Sequence, residues 1–321
     1  MKKLIFKSGL YFVLILLALE LIVRALHLGK DSPARFVDDF KVEKWIPNQH
    51  GYSVTGNRRQ NFSEYKINNS GFNSYREFNP TYEKTEIALV GDSFIEGFHQ
   101  DYDHSIGKKI ENQLDGVEVY EYGYAGYDFA DQLHLVNAYK ETFDKIDYVV
   151  LGFRFRDDLF RGEYKVVHDR MRLESAMYKN ARKIKLLVYA QGISILKPVF
   201  DFPGKIISFI KGKSNAPKVE KVETTEEIEA KQKRYIDNFK SLVEIYGYDK
   251  SRFVMLLDVN ETPQVFLTYL ETHGFKYIDF GTALKNSKTP PTLIFDQHWN
   301  NHGRDLVAQS VVDAFKLFVK N

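Results

Sequence analysis

From Glu86 onwards the chain alternates short apolar runs with amphipathic ones, and this alternation narrows the folds open to it. "EIALVG", "VEVYEYG", "IDYVVLGF", "RFVMLLDV" and "FKYIDF" read as strands. "SIGKKIENQLDG", "YDFADQLHLVNAYKETF", "PQVFLTYLETHG" and the closing "HGRDLVAQSVVDAFKLFV" read as helices. Ser105 stands where the first of these wants an N-cap, and Gly116 stands near its end. Phe129, Leu133, Val136 and Tyr139 recur at helical spacing in the second. "YVVLGF" is continuously apolar, as a parallel strand buried on both faces should be. Strands alternating with helices predict an α/β domain of three layers, a parallel sheet flanked by helices.

The 321 residues leave room for appendages to that domain. Residues 1–29 begin "MKKLIFKSGLYFVLILLALELIVRALHLG", with lysines first and an apolar run from Gly9 to Leu19. A membrane span wants roughly 20 mostly apolar residues, so this one is short, and it carries Glu20. The site for signal cleavage is poor. The segment is therefore expected to be an uncleaved anchor crossing the cytoplasmic (inner) membrane once, with the body outside the cytoplasm, because Lys2, Lys3 and Lys7 precede it. Glu20 and Arg24 sit i,i+4 as a helical pair; a membrane protein partner facing Glu20 is the other reading. Residues 30–85 are polar, rich in Asn and Gly, and expected to form short strands such as "NFSEYKIN" in a hairpin. Residues 86–321 form the α/β domain, interrupted by an insertion over 161–238. Its apolar, basic piece "KIKLLVYAQGISILKPVFDFPGKIISFIKGK" reads as a lid, as core helices or as a membrane-facing element. The charged stretch after it reads as linker and solvated helix.

Lysine and arginine number 45 against 43 acidic residues, a net charge of +2, which gives no electrostatic reason to expect nucleic acid as a partner. The absence of cysteine rules out disulfides, thiolate metal sites and a cysteine nucleophile. Chemistry must come from elsewhere. "IALVGDSF" ends a buried strand on Gly91-Asp92-Ser93. A turn with a capping residue explains this, and so does a nucleophile at the carboxyl edge of a sheet, where open α/β folds place their sites. Far downstream, "FDQHWNNHG" sets Asp296 two residues before His298, ahead of the last helix. A serine nucleophile needs a base and an acidic group to orient that base. Ser93, His298 and Asp296 all fall on the same predicted sheet edge. Asp296, His298 and His302 would also suit zinc, but no further ligand cluster stands in the sequence and Ser93 would go unexplained. No metal or cofactor is expected.

These two blocks, over two hundred residues apart and in order, resemble the SGNH, or GDSL, hydrolase superfamily from about Ile87 to the end of the chain. "INNSGFNS", "GDSF…EG" and "DQHWNNHG" resemble its membrane-anchored bacterial branch, which includes the alginate O-acetylation proteins. The resemblance implies Ser93 as nucleophile, His298 as base and Asp296 as its partner. It also implies Gly126 of "YGYAGYD" as a backbone oxyanion donor. One block departs. The family ends its third strand with an asparagine that donates to the oxyanion; here that position falls on Asp157, or on Arg156 in a shifted register, within "YVVLGFRFRDDLF". A carboxylate cannot donate unless protonated. Arg154 or Arg156 would supply a donor, or the arginines pair with Asp157 and Asp158 as a surface cluster. Trp299 and Tyr127, with Trp45, Tyr122 and Tyr124, are candidates for stacking on sugar rings. The expected function is a membrane-anchored serine esterase or O-acyltransferase, working on acetyl or other acyl esters of an extracytoplasmic polysaccharide. The alternative is a non-catalytic relative that binds polysaccharide or scaffolds a membrane acyltransferase.

Overall fold

A computed structural model of the chain describes residues 1–56, 59–195, 224–294 and 296–318. Helix α1 (Lys2–Ala25) leaves most of its apolar side chains exposed, while Val23 near its end is buried. Its mean hydropathy is 2.1, and among the described residues it is the one helix long and apolar enough to cross a membrane. Next come two antiparallel hairpins, β1 (Arg35–Val37) with β2 (Glu43–Trp45) and β3 (His50–Thr55) with β4 (Asn61–Lys66). The second contains the expected "NFSEYK" strand.

The body then runs β5 (Thr85–Gly91), α2 (Ser93–Glu96), α3 (Ile106–Glu111), β6 (Val117–Gly123), α4 (Phe129–Ala138), α5 (Lys140–Phe143), β7 (Tyr148–Phe153) and α6 (Phe155–Asp158). The helix expected from Tyr127 to Phe143 is thus broken at Tyr139. The insertion contributes α7 (His168–Met171), α8 (Ala176–Lys183), α9 (Lys185–Gly192) and α10 (Thr225–Tyr246); most of its apolar piece lies outside the described residues. β8 (Phe253–Leu257), α11 (Gln264–Thr272), β9 (Tyr277–Asp279), α12 (Gly281–Asn286) and α13 (Asn301–Phe318) complete it.

The sheet is all parallel, in the order β6-β5-β7-β8-β9. Strand residues alternate between its two faces, as the period of two requires. Ala88, Val90, Val149, Leu151, Met255 and Leu257 point to one core, shared with α4, α10 and α11. Ile87, Leu89, Val150, Val254, Leu256 and Ile278 point to the other, shared with α3 and α13. This is the expected three-layer α/β architecture. The boundary expected at Asn238 falls inside α10, a single helix capped by Thr224. Its first half is solvated, but Tyr235, Ile236, Phe239 and Leu242 are buried, so the charged stretch ends as core rather than linker.

Phe239 stacks on Phe129 at 5.4 Å and meets Phe266 and Phe275 edge-on at 5.2 and 5.1 Å. Deleting its ring opens a cavity that these neighbours cannot close. Phe239→Ala is expected to cost about 3–5 kcal/mol of stability, read as a lowered urea midpoint; a change under about 1 kcal/mol would mean that α10 is not part of the core.

Candidate active site

The order of the strands reverses beside β5: β6 lies on one side of it and β7 on the other. Such a reversal leaves a crevice at the carboxyl ends of the strands, where α/β sheets bind ligands. Ser93 opens α2 directly after β5, at that crevice. Asp92 caps α2 by accepting the Phe94 N–H at 2.9 Å, and Gly97 ends it in the left-handed region at φ 71°. Asp92 is thus the capping residue of "GDS", and Ser93 stands first in α2 at the crevice.

Asn300 positions the other half of the site. Its amide donates to the carbonyls of Pro290 and Thr292 at 2.8 and 3.0 Å, and the Leu293 N–H meets the His298 carbonyl at 2.9 Å. This clamped loop brings His298 across the crevice. Its Nε2 lies 2.7 Å from Ser93 Oγ, and its Nδ1 hydrogen-bonds Asp296 Oδ1. With Nδ1–H donating to the carboxylate, Nε2 is left as the acceptor for the serine proton. Burial works against the Asp296 carboxylate, but its bonds from His298 prevail and hold its pKa below the ordinary value.

A second histidine enters that the sequence reading did not identify. His99 Nε2 lies 3.1 Å from the free oxygen of Asp296, and its ring stacks on His298 at a centroid distance of 4.0 Å. Phe94 covers the His298 ring at 4.5 Å. Burial, then the neighbouring charge of His298, push the His99 pKa down to about 4. It is thus a neutral donor to Asp296 at ordinary pH. His99, Asp296 and His298 form a cluster of metal-ligand type, but the two stacked rings each address a separate oxygen of one carboxylate instead of converging on a point between them. His302, the third member of the zinc set considered above, bonds Ser287 Oγ at 2.8 Å instead.

The loop after β6 lies beside Ser93 because Tyr124 N–H donates to the Gly91 carbonyl at 3.0 Å. Gly126 there has φ 90°, a conformation costly for any residue with a Cβ. Arg170 grips its carbonyl, and Arg170 is itself paired with Glu43 at 3.1 Å and Asp131 at 3.3 Å. Arg161 pairs with Asp128 at 2.6 Å and Asp131 at 3.0 Å. Buried Glu96 of α2 accepts from Trp45 Nε1 at 2.7 Å and from the Ala125 N–H at 3.1 Å. Burial pushes its pKa up to about 8. The backbone N–H groups of Ser93 and Gly126 are not used by any of these bonds.

Directly after β7 stands Arg154, not Asp157 or Arg156. Its guanidinium meets Asp92 at 2.6 Å and lies 5.0 Å over the Phe94 ring, the two residues that flank Ser93. Asp157 and Arg156 are exposed on the following turn, with Asp157 paired to Arg154 at 3.3 Å. A cavity of about 530 Å³ opens between β7, β8 and the His298 loop, lined by Phe94, Phe155, Phe280 and Trp299 with Arg154 and Gln297. Tyr127, expected against substrate, is instead 3% exposed, and its hydroxyl donates to the Glu43 carbonyl. Trp45, Tyr122 and Tyr124 are buried too, so no sugar groove is built from these four. Trp299 is 7% exposed and is among the residues that line the cavity.

No protein-family model and no curated protein matches the chain. Among solved structures it is similar to a lipolytic protein of the G-D-S-L family from Veillonella parvula, at 14% identity over 72% of this chain and 98% of that one, with a TM-score of 0.38. A lipase/acylhydrolase from Enterococcus faecalis is 14% identical over 72% of this chain and 95% of that one, TM-score 0.37. A two-domain esterase active on acetylated mannans is 10% identical over 74% of this chain and 50% of that one, TM-score 0.41.

Two outcomes follow from His99. Its folded pKa of about 4 lies below the unfolded value near 6.5. The unfolded chain thus binds more protons between these values, and stability falls as pH drops through that window. In urea titrations the stability difference between wild type and His99→Asn should be flat above about pH 7 and shift in the variant's favour towards pH 4; a pH-independent difference would refute the assignment. His99→Ala should also lower kcat by roughly ten- to hundredfold. The acid limb of its pH–rate profile should move upward, because an Asp296 freed of one donor holds the His298 proton more tightly.

Proposed function

We propose that this chain is an SGNH-type serine esterase or O-acyltransferase, anchored through α1 and acting on acyl esters of an extracytoplasmic polysaccharide. One observation carries the chemical part: a serine oxygen 2.7 Å from an imidazole nitrogen whose other nitrogen is held by a carboxylate. In this reading Ser93 Oγ attacks the ester carbonyl and gives its proton to His298 Nε2. Asp296 stabilises the imidazolium that forms. The backbone N–H groups of Ser93 and Gly126 receive the oxyanion, with Arg154 as the neighbouring cation in place of the asparagine of the resembled family. The oxyanion collapses, the sugar oxygen leaves with the proton from His298, and an acyl-serine remains. Water or a second sugar hydroxyl then gives its proton to His298 and attacks the acyl carbon. Ser93 leaves and regains its proton. The nearby cavity of about 530 Å³, where Phe94, Phe155, Leu256, Phe280 and Trp299 supply apolar wall among polar and acidic residues, would accept the acyl group. Asp157 and Arg156, exposed residues that line the same cavity, would be contacts for the sugar.

The membrane part is supported by the exposed apolar surface of α1. The alternative, a scaffold without turnover for a membrane acyltransferase, draws on Arg154, whose guanidinium is already engaged by Asp92 and Asp157. An active-site-directed fluorophosphonate separates the two. Wild type should form one adduct on Ser93, and Ser93→Ala none. Release of acetate from a model ester should fall by roughly 10⁶-fold in Ser93→Ala and by roughly 10⁴-fold in Asp296→Asn. Well-folded wild type that takes no label, or a serine variant with undiminished turnover, would rule out the catalytic reading.

A further inference from the structure

The far end of α1 leads to a second site. Glu20 pairs with Arg24 at 2.7 Å and also accepts the backbone N–H groups of Lys185 and Leu186 at 3.0 and 2.6 Å. These are the first residues of α9, so Glu20 caps α9 from another helix and fixes its start at its own level on α1. The carboxylate thus finds its partners within the chain. Helix α9 lies along α1. If α1 sits in a bilayer, as the proposed anchorage requires, this junction lies at its surface.

A cleft of about 670 Å³ opens there, at the junction of α1, α8 and α9. Arg24, Lys179, Arg182, Lys183 and Lys185 line it, against the carboxylates of Asp31 and Glu174. Lys185 pairs with Asp31, Arg182 and Lys179 pair with Glu174 at 3.3 and 3.6 Å, and Arg24 pairs with Glu20. Lys183 reaches only the side-chain oxygen of Asn180, at 3.3 Å. Even with Glu20 counted, the cleft keeps a surplus of positive charge. Surplus cations beside an apolar helix at membrane level attract the phosphate of an anionic lipid.

We propose that this cleft binds the phosphate headgroup of an anionic membrane phospholipid, with the acyl chains lying along α1 and α9. The ion pairs hold the cations in place before the lipid arrives, which limits the ordering cost of binding. The site rests on the anchored reading of α1 but not on the catalytic one.

The test uses the full chain in mild detergent, examined by native mass spectrometry with phosphatidylglycerol or phosphatidylcholine added. Wild type should retain one phosphatidylglycerol with at least about tenfold preference. The charge reversal Lys179→Glu with Lys183→Glu, at two exposed positions, should abolish that preference while Ser93 still takes the fluorophosphonate label. Lys145→Glu, a distant exposed reversal, should leave the preference unchanged. Equal retention of the two lipids, or an undiminished preference in the double variant, would overturn the site. Displacement of the lipid by millimolar glycerol phosphate would overturn its lipid nature in favour of a soluble phosphate ligand. Carbonate extraction of membranes reports on the anchor alone. Release of the chain from the pellet overturns the anchorage, whereas a chain that stays there and holds both lipids equally overturns only the headgroup site.

Discussion

A Cβ on Gly123 would stand 2.0 Å from the backbone nitrogen of Glu96. With hydrogen alone in that place, α2 lies flat on the end of β6, and the remaining geometry follows. Ser93 opens the helix at the crevice, and Glu96 faces inward at its other end. There it takes the indole N–H of Trp45 and the amide of Ala125. One close approach of backbone to backbone thus sets the spacing between Ser93, the loop bearing Gly126 and the N-terminal extension. The left-handed turn at Gly97 then reverses the chain so that His99, six residues after Ser93, comes back onto the same carboxylate that orients His298.

The site is held by shared acceptors. Asp296 serves two imidazoles, one to each oxygen, and the His298 ring is packed between His99 and Phe94. A ring fixed on both faces and at its edge keeps its Nε2 aimed at the Ser93 hydroxyl without searching rotamers. A neutral His99 also lets the imidazolium form without a second positive charge pressed against it.

Much of this could be read from residues alone, because periodicity and chain order carry it. The five strands and the principal helices of the body announce themselves by spacing. "GDS" after the first of those strands, with "DQH" ahead of the last helix, is enough to place Ser93, Asp296 and His298 on one edge. What stayed hidden depends on three-dimensional closeness. His99 has no spacing rule that marks it, since only the turn at Gly97 brings it back. Arg154 was within view, but a residue count past an apolar strand slips easily; the backbone pairing of β7 ends at Phe153, and that places Arg154 first after it. Tyr127, Tyr122, Tyr124 and Trp45 look equally apt for stacking on sugars or for filling a core, and packing decides for the core. The helix α10 was obscured because its charged first half hides a buried second half, which only the register against α4 and α11 reveals.

The arginines that steady the Gly126 loop come from outside the α/β body. Arg170 and Arg161 belong to the insertion, and Glu43, fully buried against Arg170, belongs to the extension before β5. Buried charges tolerate the loss of a partner poorly. A chain trimmed to start at Thr85, however complete its sheet, would strand Arg170 beside an emptied pocket and deprive Glu96 of its indole donor. The peripheral segments are in this respect a brace around the reaction centre, and the smallest autonomous unit of this protein is larger than its sheet suggests.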